Sequence, residues 1–162
     1  FKTKMGGLVC FYNPNEMCPK FWFFKSGDSI SYICKNILSY CDEGKIHVHI
    51  NDVKFLDSKQ SKIYNQFIGM LHGISQFRNV SIKIVSKEKV QSRIMHLLDI
   101  KIKKEFHNKI LSKKMHNNQY NLVYDMVKLR SKQVVNCYMW SYLLAYYGFL
   151  KDKISSYNKK EQ

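Results

Sequence analysis

Hydrophobic and polar positions alternate most clearly between Ile46 and Asp52. Ile46, Val48 and Ile50 lie on one face and His47, His49 and Asn51 on the other, the period of two expected of a strand. Asp52 continues the apolar face at the strand's C-terminal end. The period then lengthens. Ile63, Phe67, Ile68, Met70, Leu71 and Ile74 recur at helical spacing, and Asp57 or Ser58 stands where a helix cap is needed. A third segment, Val80 to Val85, again reads as a strand.

The same reading extends over the rest of the chain. Leu8–Tyr12 and Lys20–Lys25 read as strands, joined by a turn-rich loop that Pro14 and Pro19 bracket. Ser26, Gly27 and Asp28 turn the chain into a helix over about Ser29–Asp42, which presents Ile30, Ile33, Cys34, Ile37, Leu38 and Cys41, with Gly44 as its stop. After Val85, Ser86 can cap a helix with Val90, Ile94, Leu97 and Leu98 on one face. Gln119–Lys128 reads as a short helix, and Ser131–Leu150 as a buried helix ending at Gly148. Setting that short helix aside, the order is β-β-α-β-α-β-α-α. Its two βα crossovers predict an α/β fold with an at least partly parallel sheet and helices packed on it. One domain is expected over residues 1–150, and 151–162 is expected to be a charged, exposed tail.

Length and composition agree with one globular domain: 162 residues, 45% hydrophobic and 14% aromatic. No apolar run is long enough for a membrane span, so no membrane partner is expected. The net charge of +15 favours a polyanionic partner, nucleic acid above all. Lysine far outnumbers arginine, which occurs only at Arg78, Arg93 and Arg130, and alanine occurs only at Ala145. Such usage fits an AT-rich genome, so part of the charge is codon bias. The expected setting is intracellular, with a mitochondrion favoured and a viral or other organellar origin open.

Between Lys83 and Lys114 the chain carries ten Lys or Arg against three acids. This stretch is either a solvated helical surface or the main phosphate contact. Under the second reading the contact residues are Lys83, Lys87, Lys89, Arg93, Lys101, Lys103, Lys104, Lys109, Lys113 and Lys114. Sequence does not separate RNA from DNA by motif. The five cysteines, Cys10, Cys18, Cys34, Cys41 and Cys137, contain no CxxC and read as reduced thiols; a zinc site at Cys10 and Cys18 has no convincing spacing. His47 and His49 share a strand face but lack a Glu or Cys at a metal-binding interval. Tyr138, Trp140, Tyr142, Tyr146 and Tyr147 could stack bases, though an all-round apolar helix reads first as core or subunit interface.

Strand Ile46–Asp52, Gly69-Met70-Leu71, Ile84-Val85-Ser86 with Val90, and helix Gln133–Gly148 together resemble the RuvC-type Holliday junction resolvases, in particular their mitochondrial and poxviral branches. The resemblance covers roughly residues 4–149. It implies a ribonuclease H-like mixed sheet and, for an active member, Mg²⁺ held by carboxylates from the first strand, the middle strand and the last helix. Only the middle position has a candidate, Asp52. Residues 1–15 contain no acid, Lys4 stands where the first acid would fall, and Gln133, Val134 and Cys137 occupy the last-helix positions.

The resemblance therefore implies a non-catalytic nucleic-acid-binding member with no cofactor. It would be a structural subunit among other subunits of a large RNA–protein assembly such as a mitochondrial ribosome, RNA being favoured over DNA. Two alternatives remain: a divergent Mg²⁺-dependent resolvase or nuclease using Asp52, and a protein-interaction subunit of a viral or organellar complex whose charge is only genomic bias.

Overall fold

A computed structural model describes residues 7–25, 27–39, 46–51, 57–97, 101 and 118–158. The chain is mixed α/β, as the alternating periods predict. In order, its described elements are β1 (Gly7–Phe11), β2 (Lys20–Phe24), α1 (Ile30–Ser39), β3 (Ile46–Asn51), α2 (Ser58–Ser75), β4 (Val80–Val85), α3 (Lys87–Leu97), α4 (Asn118–Val127) and α5 (Lys132–Asn158). The described strands pair two by two, β1 with β2 and β3 with β4. The chain divides into two compact units, residues 1–9 with 22–86, and residues 10–21 with 87–162.

In the first unit, β3–α2–β4 is a crossover unit. Its strands run parallel and in register from Ile46 opposite Val80 to Asn51 opposite Val85. A parallel pair cannot be closed by a tight turn, and α2 supplies the return. Asp57 begins that helix as anticipated. Its backbone is extended and its Oδ1 accepts the Gln60 N–H at 2.8 Å, satisfying a donor that the first helical turn leaves open. In α1, Ser29 does the same through Oγ for the Tyr32 N–H. The unit buries Phe24, Ile33, Cys34, Ile37, Ile50, Tyr64, Phe67 and Leu71 in one cluster. Gly7 is required by this packing: a Cβ there would collide with the Phe24 ring.

The second unit is helical. Both α3 and α4 pack on α5. Ser131 caps α5, its Oγ accepting the Val134 N–H. The helix then runs to Asn158, ten residues beyond the end predicted at Gly148. Gly148 is buried in mid-helix between Tyr147 and Phe149. No proline follows it, and Lys151, Asp152 and Lys153 are compatible with helix, so the glycine costs about 1 kcal/mol without stopping the chain.

The core of this unit is aromatic. Tyr12 lies among Tyr142, Tyr146 and Phe149, with ring centroids 6.1, 5.8 and 5.1 Å away. Tyr120 meets Tyr142 edge-on, and Tyr142 stacks on Tyr146 one turn further along. The loop between β1 and β2 is tied down by Gln119, whose Nε2 donates to the carbonyls of Asn13 and Glu16.

Candidate nucleic-acid interface

Helix α3 begins directly after β4, and its two faces differ in kind. Val90, Gln91 and Ile94 are buried, with the Gln91 amide directed at the Met95 sulfur. Lys89, Arg93 and His96 stand at i, i+4 and i+7, so they share the opposite face. Lys89 and His96 are exposed and Arg93 is half-buried. Glu88 is the acid of this helix's first turn. This geometry suits an extended anion: three nitrogen-bearing side chains along about 10 Å of helix, a length comparable to a few backbone phosphates.

The anticipated contact residues are not equivalent. The ammonium of Lys87 lies 4.4 Å above the Trp140 ring, a cation–π contact that ties the start of α3 to α5. Its charge thus already has a partner, although the residue is exposed. Lys83 is exposed on β4, opposite His49 in register, and belongs to the first unit, whereas Lys87, Lys89, Arg93 and Lys101 belong to the second. Lys101 is exposed. Lys103, Lys104, Lys109, Lys113 and Lys114 lie outside the described residues, as does Asp52, the carboxylate that follows β3.

A second group of cations lies outside the stretch that charge density singles out. Lys128, Arg130 and Lys132 are all exposed where α4 passes into α5. Lys128 is paired with Asp125 at 3.0 Å. Three cations in five residues are visible in the sequence, but they are few beside the 83–114 run, and density alone passes over them.

The aromatic side chains of α5 divide against base stacking. Tyr142 and Tyr147 are buried, and Tyr138, Trp140 and Tyr146 are half-buried. Phe21 packs on Tyr138, Lys87 covers Trp140, and Tyr142 and Tyr146 face each other. These rings serve the packing of the unit, so the core reading of this helix is the one its geometry carries.

Burial raises three of the described thiols, Cys10, Cys18 and Cys34. Cys34 is pushed up to about 11. Cys10 is pushed up to about 12, by burial first and by the neighbouring Cys18 second. Among the described residues no group of three or more His, Cys, Asp or Glu side chains could hold a metal ion. Gln133 and Cys137 are exposed and Val134 is half-buried, all within the first two turns of α5. No helix among the described residues is long and apolar enough to cross a membrane.

No protein-family model matches this chain, and no curated protein and no solved structure matches it either.

Proposed function

We propose that the protein is a non-catalytic nucleic-acid-binding protein on a resolvase-like scaffold, a structural subunit of a large RNA–protein assembly such as a mitochondrial ribosome. The observation that carries this reading is the solvent face of α3, where Lys89, Arg93 and His96 share one side of a helix anchored by its other side. The net charge of +15 supplies the long-range attraction, and the α3 face gives it a place to act. The lack of acids across residues 1–15 and 131–150 supports binding without cleavage.

Two measurements test it. Native protein sedimented from a gentle lysate should travel with a large particle that ribonuclease disperses. A small species insensitive to ribonuclease, or Mg²⁺-dependent cleavage of four-way DNA junctions lost in Asp52→Asn, would overturn the reading. For the face itself, RNA affinity should fall linearly on a log–log salt plot, and Lys89→Gln with Arg93→Gln should flatten that slope by about 1.4 on a single strand, near 0.7 per lost phosphate contact. An unchanged slope would remove α3 from the interface.

A further inference from the structure

Helix α4 is apolar on two opposite sides. Tyr120, Val123 and Val127 fill the interior of the second unit and are all but inaccessible. Leu122 and Met126, one turn apart on the other side, are 42% and 53% exposed, and Leu129, in the following turn, is 93% exposed. Leu122 and Met126 share one side of the helix, and Leu129 stands in the turn that follows its end at Val127. Amphipathic surface helices normally place charge there. A leucine presented almost entirely to water, just after a helix with two further exposed apolar side chains, marks a surface shaped for contact.

The rim of this surface has a sign. Arg130 and Lys132 stand beside Leu129, exposed, and neither has an ion-pair partner among the described residues. Lys128 is neutralised by Asp125. We propose that the outer face of α4, Leu122–Met126–Leu129 with Arg130 and Lys132 at its end, docks an acidic amphipathic helix of a partner protein.

Charge complementarity selects that occupant over the others. A second copy would bring Arg130 and Lys132 against the same cations, on a chain whose net charge of +15 already opposes self-association. An anionic lipid surface is typically recognised by clusters of about four to eight cations, whereas here only Arg130 and Lys132 border the apolar side chains without an ion-pair partner among the described residues. Nucleic acid offers nothing that three aliphatic side chains would recognise. A helix with a leucine-rich stripe can lie along the three apolar side chains, and carboxylates at its edge can reach Arg130 and Lys132, the helix-in-groove mode of recognition.

The proposal rests on the assembly role above for its setting but not on RNA binding, and the two are measured separately. Full-length protein carrying a photo-activatable phenylalanine at position 126 is cross-linked in its own cells, and the attached peptides are sequenced. A control carries the same group at Lys59, on the polar side of α2. The expected product at 126, absent from the control, is a peptide of net negative charge with apolar residues at i, i+3 or i+4, and i+7. Leu122→Gln with Leu129→Gln should lower its yield about tenfold or more, while the melting temperature and ribonuclease-sensitive sedimentation stay as they were. Cross-links at 126 to lipid, to RNA or to a second copy of this chain would overturn the proposal, as would a yield no higher than the control. Loss of sedimentation with the particle, with the cross-link retained, would instead fault the assembly reading.

Discussion

The two units bury different chemistry. The first packs Ile33, Ile37, Ile50, Phe67 and Leu71 around a parallel strand pair, with one tyrosine, Tyr64, among its buried members. The second packs Tyr120, Tyr142 and Tyr147 with Met139 and Leu143 around a single long helix. Their outer helix faces differ in the opposite sense. Helix α2 shows Lys59, Lys62, Asn65 and Gln66 to water, whereas α4 shows Leu122 and Met126. A tyrosine-rich interior is thus no sign of a polar unit, and apolar surface in the second unit is not surplus core. Its rings are used inside, and Leu122, Met126 and Leu129 are exposed on and just after α4, with Met17 exposed in the loop between β1 and β2.

The largest effects should come from the cores themselves. Tyr142 is fully buried and touches three other rings, so Tyr142→Ala should cost about 3–5 kcal/mol, because transfer energy and a cavity are lost together. Leu71 is equally inaccessible in the first unit, and Leu71→Ala should cost about 2–5 kcal/mol. Urea unfolding followed by tyrosine fluorescence and by far-ultraviolet circular dichroism would measure both. A cost under about 1 kcal/mol at Tyr142 would mean that the aromatic interior is loosely packed, and the contrast between the units would fail.

A smaller effect is expected at Gly7, where the Phe24 ring occupies the space of a side chain. Gly7→Ala should destabilise by about 1–3 kcal/mol through overpacking, although alanine is ordinarily the better residue in a strand. The double variant Gly7→Ala with Phe24→Leu should recover part of that loss. Without recovery, the collision with the ring is not the cause.

Much of the first unit is legible in the sequence because its signals are local. The alternation at 46–51, the cap at Asp57 and the stripe from Ile63 to Ile74 each determine an element without reference to the rest. The second unit is less so. Gly148 carries the signal of a helix end, yet a glycine stops a helix only if the chain turns there, and the residues around it hold α5 straight on to Asn158. The ten cations of residues 83–114 read as one surface because lysine has no periodicity of its own. Folding separates them: Lys83 goes to one unit, Lys87 goes to Trp140, and Lys89 and Arg93 go to the open side of α3. The outer pair on α4, Leu122 and Met126, could have been found at i, i+4, but in a short segment that is apolar on both sides the inward and outward faces look alike.

Alkaline pH should separate the units by their titrating groups. Burial raises the Cys34 thiol from 9.0 to about 11 in the first unit, and raises the Tyr120 hydroxyl above its ordinary 10.0 in the second. In both cases the folded chain holds its proton more tightly than the unfolded chain does. Their contribution is therefore complete below pH about 9 and is lost as pH rises through about 11 and beyond, the thiol first. Cys34→Ala should flatten the fall in urea midpoint from about pH 9 to 11 that the natural chain shows, and Tyr120→Phe should flatten it from about pH 10 upward. Equal slopes in all three proteins would mean that neither group is desolvated.

The smallest effect concerns the outer face of α2, and its sign sharpens the contrast with α4. Gly69 and Gly73 lie one turn apart on the exposed side of that helix, and a Cβ at either would meet nothing within 4 Å. In an exposed helix interior glycine is worse than alanine by about 0.5–1 kcal/mol, because the unfolded chain gains more freedom. Gly69→Ala and Gly73→Ala should each stabilise by about that amount, and the two should nearly add, since neither requires a neighbour to move. Thermal unfolding resolves a gain of this size. If the alanines stabilise and leave sedimentation unchanged, the α2 face is ordinary solvated surface and α4 is the helix that carries a contact. If they stabilise the isolated chain but displace it from its particle, the open backbone at Gly69 and Gly73 is itself in use, and the first unit's surface is no more idle than the second's.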